Sequence, residues 1–514
     1  MLSYVNAFMV IIMAGKYSVP AAIRALKPAG ISTNVKVVKG NYYVYEHLRV
    51  TDPVTGKRKN ASGRYLGKIT LEDGFIPADQ AITKDDINNL DCGQYLIGYK
   101  NSSCVYDLLK KFFNLNDAKF LYCMGLIFFA NGYTYMRDVI NYYEGSVLSL
   151  MLKDLSMGEK AISRFYKELG HRTQRIEAFE QALITNGSGY YAVDGHVILS
   201  TSKDTDLVSY GNKYRKMGNT QQNYMCIFDV EMNRPVSCKP FEGGTLDMTY
   251  VAEVFDLYNF RNTVFIVDAG FYSAENIKLF SADGNKYVVP LPAKYKAYKN
   301  AVSDISFTDE FSYSKGSGKK SHKSLISFKE LVTNDGTRRI MFRDEEMNMK
   351  LRAEFKSQVG TDDYHTDARY TQLKESFGLI ILETNMTDSA EFVYATYKKR
   401  WKVETFYNHV KNQEQFKATH NRDYYVVQAE SFIMTIEGMI YSEFMKVLQH
   451  KPDKILSGKS VNECISISAR LKLSQHYDKT WHINKLRSGI MDLLTALNVD
   501  MSEDLPIKLQ RGLT

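Results

Sequence analysis

Several common chemistries have no motif to carry them in this sequence. The six cysteines (Cys92, Cys104, Cys123, Cys226, Cys238 and Cys464) form no Cys-x-x-Cys pair and have no histidine at zinc spacing. A zinc knuckle or thiol-redox centre is therefore excluded, and buried, reduced thiols of a cytoplasmic chain are expected. There is no His-Glu-x-x-His, no Gly-x4-Gly-Lys-Ser/Thr and no Gly-x-Ser-x-Gly, which removes zinc peptidases, P-loop NTPases and serine hydrolases of the elbow type. Internal repeats are absent. The apolar run from Ala7 to Gly15 is too short to span a bilayer and lacks the basic flank of a signal peptide. A translation start at Met13 instead of Met1 would remove most of it, and no membrane span is expected elsewhere.

What remains is a chain of 514 residues, too long for one ordinary core, so two to four domains are expected. Its hydrophobic and charged fractions, 44% and 24%, are those of a soluble globular protein. The net charge of +8 has the sign needed along a phosphate backbone, although basic proteins without such a partner are common. The 36 tyrosines and 27 phenylalanines can stack on bases, and more often fill cores.

The N-terminal region, 1–185, opens with a hairpin. Asn41–Val50 and Arg64–Thr70 have high β propensity and flank a turn at Asp52–Gly56. Lys57, Arg58, Lys59 and Arg64 at the tip, with Tyr42, Tyr43 and Tyr45 on the strand, suit DNA contact; a solvated hairpin is the plain alternative. From Gln94 to Leu183 apolar residues recur at helical spacing. Residues 186–292 then read as three strands (Tyr190–Leu199, Asn223–Val230, Pro235–Pro240), a helix (Asp247–Tyr258), a strand ending in an acid (Thr263–Asp268), a helix (Ser273–Phe280) and a strand (Lys286–Pro290). That order is the order of an RNase H-like α/β core, a mixed β-sheet with flanking helices. A Lys-rich, β-rich insertion at 293–376 interrupts it, with strand-like pieces at Ser324–Leu331 and Arg338–Phe342. The core resumes at 377–450 with a strand at Gly378–Glu383 and one long helix from Asp388 to Asn412, since Asp388 and Glu391 have capping-box spacing. Another helix is expected near Ser431–Leu448, and the tail, 451–514, reads as amphipathic helices.

Within the Asp388–Asn412 segment stand Tyr397, Arg400, Glu404 and Lys411, which an unbroken helix would hold within about 40° of one line. Trp401 and Asn408 share that stripe. A core-facing stripe would be aliphatic, so this one is built to touch something polar and flat.

The pattern Tyr397-x2-Arg400-x3-Glu404-x6-Lys411 resembles the Tyr-Arg-Glu-Lys signature of a family of bacterial insertion-sequence DDE transposases. Val193–Gly195 and Ile266–Ser273 resemble that family's contexts for its two aspartates, and Pro240–Asp247 the stretch before its first core helix. The similarity covers about residues 185–450. Departures are Ala269 where many members have Arg, Gly195 and His196 where Thr is frequent, and no Trp in residues 269–396; His196 is given no role. The resemblance implies a cut-and-paste DNA transposase with Asp194, Asp268 and Glu404 as catalytic residues and metal ligands. Phosphodiester cleavage suits two hard cations held by carboxylates, so Mg2+ or Mn2+ is expected, with Asp194 bridging. Tyr397, Arg400 and Lys411 would hold DNA phosphates, and Trp401 would stack on a flipped base. Against these stand plain readings: solvated acids, helical ion pairs, a buried structural Trp. The implied partners are double-stranded DNA (terminal inverted repeats and target) and a second copy of the chain; the helices at about Val461–Leu497 are the candidate interface, with plain intramolecular packing as the alternative. The implied location is the bacterial cytoplasm at the nucleoid. A DNA-binding derivative without catalysis and an RNase H-like nuclease are the alternatives.

Overall fold

The structure is a computed structural model, and it describes residues 19–51, 57–78, 88–200, 207–211, 218–303, 305–316, 321–333, 337–412, 418–419, 423–450, 454–475, 480–484 and 486–505. The chain forms two compact units: residues 1–89 with 473–483 and 509–514, and residues 90–472 with 484–508. Among the described residues no helix is long and apolar enough to cross a membrane.

The smaller unit is built on an antiparallel sheet in the order β1 (Thr33–Val38), β2 (Asn41–Thr51), β3 (Arg58–Thr70), β4 (Gly74–Pro77). The expected hairpin is β2–β3; its turn, Asp52–Gly56, lies outside the described residues. Val44 and Ile69 point to one face and close over Ile23 of the short helix Ala21–Ala25. Alternation sends Tyr43 and Tyr45 to the other face. There Tyr65 lies 5.3 Å from the Tyr45 ring and 6.2 Å from that of Tyr43, and the Lys36 ammonium sits 4.8 Å above Tyr45. Gly67 is required at its place: its φ is +147°, and a Cβ would stand 2.1 Å from the Ile76 carbonyl oxygen.

After β5 (Asn88–Asp91), which belongs to another sheet, the larger unit holds one long mixed sheet. Its centre is β6 (Tyr190–Ser200), β7 (Thr220–Asp229) and β8 (Arg234–Glu242), mutually antiparallel, with β9 (Val264–Val267) and β10 (Lys286–Pro290) added parallel to β6 on its other side. Numbered along the chain these five stand 3-2-1-4-5, the mixed sheet of an RNase H-like fold. Beyond β10 come β14 (Leu379–Thr384), β13 (Arg338–Asp344), β12 (His322–Val332) and β11 (Asp309–Lys315), all antiparallel. The strands of the insertion therefore lengthen the central sheet. They come with helices that sequence reading did not foresee, the longest being Glu345–Gln358, whose amide at Met347 is capped by the Asp344 side chain at 3.1 Å.

Two other expectations are corrected. The helix expected to run unbroken from Asp388 to Asn412 is two helices, Ala390–Lys398 and Trp401–Asn412. Its cap is Ser389, which accepts from the Phe392 amide at 3.3 Å. The break arises because the amides of Lys399 and Arg400 bond back three residues, to Thr396 and Tyr397, which tightens the turn. The tail is also not wholly helical: between the helices Val461–Ser468 and Ser488–Ala496 it forms the strand pair Lys472–Gln475 and Trp481–Ile483. Those two helices bury Val461, Cys464, Ile490, Leu493 and Leu494 within the chain itself.

Two long helices brace the core. Leu115–Asn131 is buried nearly all round, and it meets Tyr424–His450 so closely that a Cβ on Gly125 would stand 2.8 Å from Ile440. On Tyr424–His450, Gly438 faces Phe406 and Pro235 the same way, at 2.5 and 2.7 Å, and so sets the Trp401–Asn412 helix against β8.

Candidate active site

Parallel pairing of β6 with β9 runs from Tyr190↔Val264 to Val193↔Val267. One residue further along stand Asp194 and Asp268, so the register makes them neighbours across about 4.8 Å of strand spacing. Both carry the parity of Ala192 and Ile266, which point into the core cluster that also holds Val403, Phe406 and Tyr407. Their side chains thus leave the sheet on the face covered by the Trp401–Asn412 helix. That helix is fixed over Asp194 itself, because the Tyr407 hydroxyl donates to the Asp194 carbonyl at 2.9 Å. Glu404 lies three residues before Tyr407, on the same side of the helix and roughly 4.5 Å back along it. His196 stacks on the Tyr407 ring, centroids 4.3 Å apart, and so steadies that anchor.

The charges of the other two acids act on Asp194. Burial pushes the Asp194 carboxyl up to about 7, against the pull of Arg400, and the charges of Asp268 and Glu404 push the same way as burial. Asp268 is partly exposed at the strand end and accepts from the Ala269 amide at 2.6 Å. Arg400 sits among the acids. Burial works against its charge, and Tyr397, Asp268, Glu404 and Asp194 more than offset that and raise its pKa. One guanidinium nitrogen bonds Glu404 at 2.5 Å, and the guanidinium lies 5.9 Å from the Tyr397 ring centroid. Its Nε is buried and donates to no described residue. Burial, ahead of Asp268 and Glu404 and against Arg400, also raises the Tyr397 phenol.

Trp401 is 65% exposed, which removes the buried structural role weighed for it. Lys411 falls in the last turn of its helix, and its side chain lies outside the described residues. Asp194, Asp268, Glu404, Arg400 and Tyr397 thus lie within the range of their electrostatic interactions, while Trp401 stands on the surface. Tyr407 and His196 had no role in the sequence reading; the signal for Tyr407 was its place three residues after Glu404.

Carboxylate oxygens are the donor set of a hard divalent cation. The set is not drawn together: among the described residues no three acid, histidine or cysteine side chains stand in a metal-holding group. Glu404 is bonded to Arg400 instead. The residues present fit such a cation in kind, with release of Glu404 from Arg400 as the condition.

No curated protein matches the chain. Among solved structures, a cryo-EM structure of the piggyBac transposase synaptic complex with hairpin DNA is similar over 78% of each chain, with 10% identity and a TM-score of 0.39. Residues 188–437, which contain all three acids, match the family model of the transposase DDE domain.

Proposed function

We propose that the protein is a DNA transposase of the insertion-sequence type that cleaves transposon ends and joins them to target DNA. Asp194, Asp268 and Glu404 would hold divalent cations, Mg2+ or Mn2+. The observation that carries this reading is the convergence of an aspartate inside β6 and one at the end of β9, adjacent in register, under a helix pinned over the first of them by Tyr407. Bound there, two such ions would supply charge neutralisation and an activated nucleophile for phosphodiester cleavage.

The chain's own residues prepare the rest. Arg400 offers a scissile phosphate a buried guanidinium with an unused Nε, and a phosphate that takes it frees Glu404 for the cation site. Tyr397 lies beside it as a hydrogen-bond donor to phosphate. Lys411, one helix turn and more beyond Glu404, would add a point charge along the same strand of DNA. The exposed Trp401 ring is free to stack on an extruded base. Water attacks first, and the freed 3′-hydroxyl then attacks the opposite strand or the target. The tyrosine- and lysine-bearing face of β1–β3 is a second DNA contact, and two copies of the chain would pair two ends. Residues 1–185 then precede a catalytic core of 186–292 and 377–450, split by an insertion at 293–376 and followed by the tail at 451–514.

The test is nicking. DNA carrying the inverted repeats that flank the reading frame should be nicked in Mg2+ and left intact in EDTA. Glu404→Gln should reduce nicking by a factor on the order of a thousand while leaving binding in place. Binding without nicking by the parent chain would make it a DNA-binding derivative, and nicking without regard to end sequence would make it a general nuclease.

A further inference from the structure

Strand β9 ends at Val267, and the chain then makes a single turn that decides where Asp268 points. Asp268 opens the turn. Its carboxylate accepts from the Ala269 amide at 2.6 Å, and its carbonyl from the Phe271 amide at 3.0 Å. Tyr272 closes it, with its amide on the Ala269 carbonyl at 3.2 Å. The two residues are thus the opposite caps of one short 3-10 turn, Ala269–Phe271, so a shift at one end is felt at the other.

The turn also carries the chain from one face of the sheet to the other. The Asp268 side chain leaves on the face of Ile266, whereas Tyr272 packs on the opposite face, against the cluster of Leu291, Met341 and Ile381. There the Tyr272 hydroxyl donates to Glu383 at 2.8 Å, and the Arg339 Nε donates to the same oxygen at 2.7 Å. Glu383 stands in β14 between Val289 of β10 and Arg339 of β13, and it is buried. The Tyr295 hydroxyl donates to the Tyr272 carbonyl at 3.3 Å, and the two rings meet edge to face with centroids 5.0 Å apart. Burial, and then the bonded Glu383 carboxylate, raise the Tyr272 phenol, which therefore stays a donor.

A buried ion pair does little for stability that apolar residues of the same volume would not do. What Arg339 and Glu383 supply is a charged acceptor at a fixed place in the sheet, and hydrogen bonds to a charged acceptor are the strong ones. The tyrosine that uses this acceptor closes the turn that Asp268 opens. Arg339 belongs to a strand of the insertion, so the hold on Asp268 reaches into the extension of the sheet. The Asn276 side chain also donates to the Phe271 carbonyl, at 3.1 Å, so loss of the Tyr272 hydroxyl should loosen the turn without unfolding it.

We propose that Tyr272 is a positioning residue for Asp268: anchored on the Arg339–Glu383 pair, it sets the turn that aims the Asp268 carboxylate at the cation site. The inference rests on the cation-binding reading of Asp194, Asp268 and Glu404. Asp194 lies inside a paired strand and is aimed by the sheet itself. Asp268 stands one residue past the end of its strand, where only the turn can aim it.

The test uses the full chain without DNA and takes two readings. Mn2+ binding is read from the free-ion electron paramagnetic resonance signal, and local opening from hydrogen exchange in the peptide that spans residues 269–272. Tyr272→Phe, which removes only the hydroxyl, should weaken Mn2+ binding about tenfold, the low end of the range for residues that act through a metal ligand. Exchange across the turn should quicken by about the same factor, the worth of one hydrogen bond. Tyr143→Phe is the control: it removes the hydroxyl bond to the Leu152 carbonyl, 2.9 Å, among the N-terminal helices and should change neither reading. Thermal melting in EDTA verifies that each variant is folded. If Tyr272→Phe does not fold, Arg339→Gln carries the same test with the same direction of change. If Asp268→Asn weakens Mn2+ binding and folded Tyr272→Phe does not, the inference is overturned and the cation site stands. An equal loss in Tyr143→Phe also overturns it, because any buried hydroxyl would then count alike. Mn2+ binding unchanged in Asp268→Asn would remove the cation reading and this inference with it.

Discussion

Replacing Asp194 with Asn should abolish nicking and at the same time make the metal-free protein more stable. The carboxyl moves from its ordinary value of 3.8 to about 7 on folding, and at 1.36 kcal/mol per pH unit the ceiling on the cost of its ionised form is about 4 kcal/mol. Side-chain relaxation and water entry would reduce this to about 2 kcal/mol. The sign follows from proton counts. Below about pH 4 both folded and unfolded chains keep the proton and nothing is lost. Between about 4 and 7 the unfolded chain ionises first, so the parent loses stability as pH rises; above about 7 the deficit is constant. Asn has no such deficit. In EDTA at about pH 8, urea unfolding should therefore show Asp194→Asn ahead by about 2 kcal/mol, with the gap closing toward about pH 4. Millimolar Mg2+ should stabilise the parent and leave the variant where it was, since the cation relieves the same repulsion. A variant less stable than the parent under those alkaline conditions, or a gap independent of pH, would refute the claim that Asp194 is desolvated among like charges.

Four further outcomes follow from particular side chains. Arg400→Ala removes the cation from among three acids, so melting in EDTA should fall by the equivalent of about 1–2 kcal/mol and recover in Mg2+; a loss that Mg2+ leaves untouched would mean packing alone. Trp401→Ala, at a 65% exposed position, should change stability by less than about 0.5 kcal/mol. It should slow nicking of fully paired ends more than nicking of ends already unpaired at the cut, and equal slowing of both would remove its stacking role. Gly438→Ala places a methyl 2.5 Å from Phe406 and 2.7 Å from Pro235, and should cost about 1–3 kcal/mol in urea unfolding; an unchanged midpoint would show that the helix packing yields. Lys36 and Lys68 both stand opposite Tyr43 in register; Lys36→Ala with Lys68→Ala should lower the slope of log affinity for duplex DNA against log salt by about 0.9 for each phosphate no longer neutralised, and an unchanged slope would take the β1–β3 face out of DNA binding.

How much was legible depended on whether local pattern or distant partners set the outcome. Lys286–Pro290 emerged with the expected bounds and Val264–Val267 within a residue, because short apolar runs between turns leave a buried strand few other places. The same reasoning put Asp194 inside a strand and Asp268 at the end of one, and both stand there. The joining of β11–β13 to the central sheet was not legible, since nothing within Asp309–Asp344 specifies that its partner is Leu379–Thr384, 35 residues beyond. Nor was the strand pair Lys472–Gln475 and Trp481–Ile483, whose short runs look like turns of an amphipathic helix.

The break at Lys399–Arg400 shows how a pattern and its geometric rationale can part company. An unbroken helix was expected to line up Tyr397, Arg400 and Glu404. They do meet, but across a turn in which the amides of Lys399 and Arg400 reach back three residues instead of four. Such a turn advances the chain about 120° per residue instead of 100°, so the second helix is free to take its direction from elsewhere. Tyr407 on the Asp194 carbonyl and Phe406 on Gly438 supply that direction. Arg400 stays with the turn and swings its guanidinium onto Glu404. The acid is thereby carried by a helix fixed to the sheet, while the cation that covers it hangs from a tight turn. Of the two, the cation is the one that can move when a phosphate arrives.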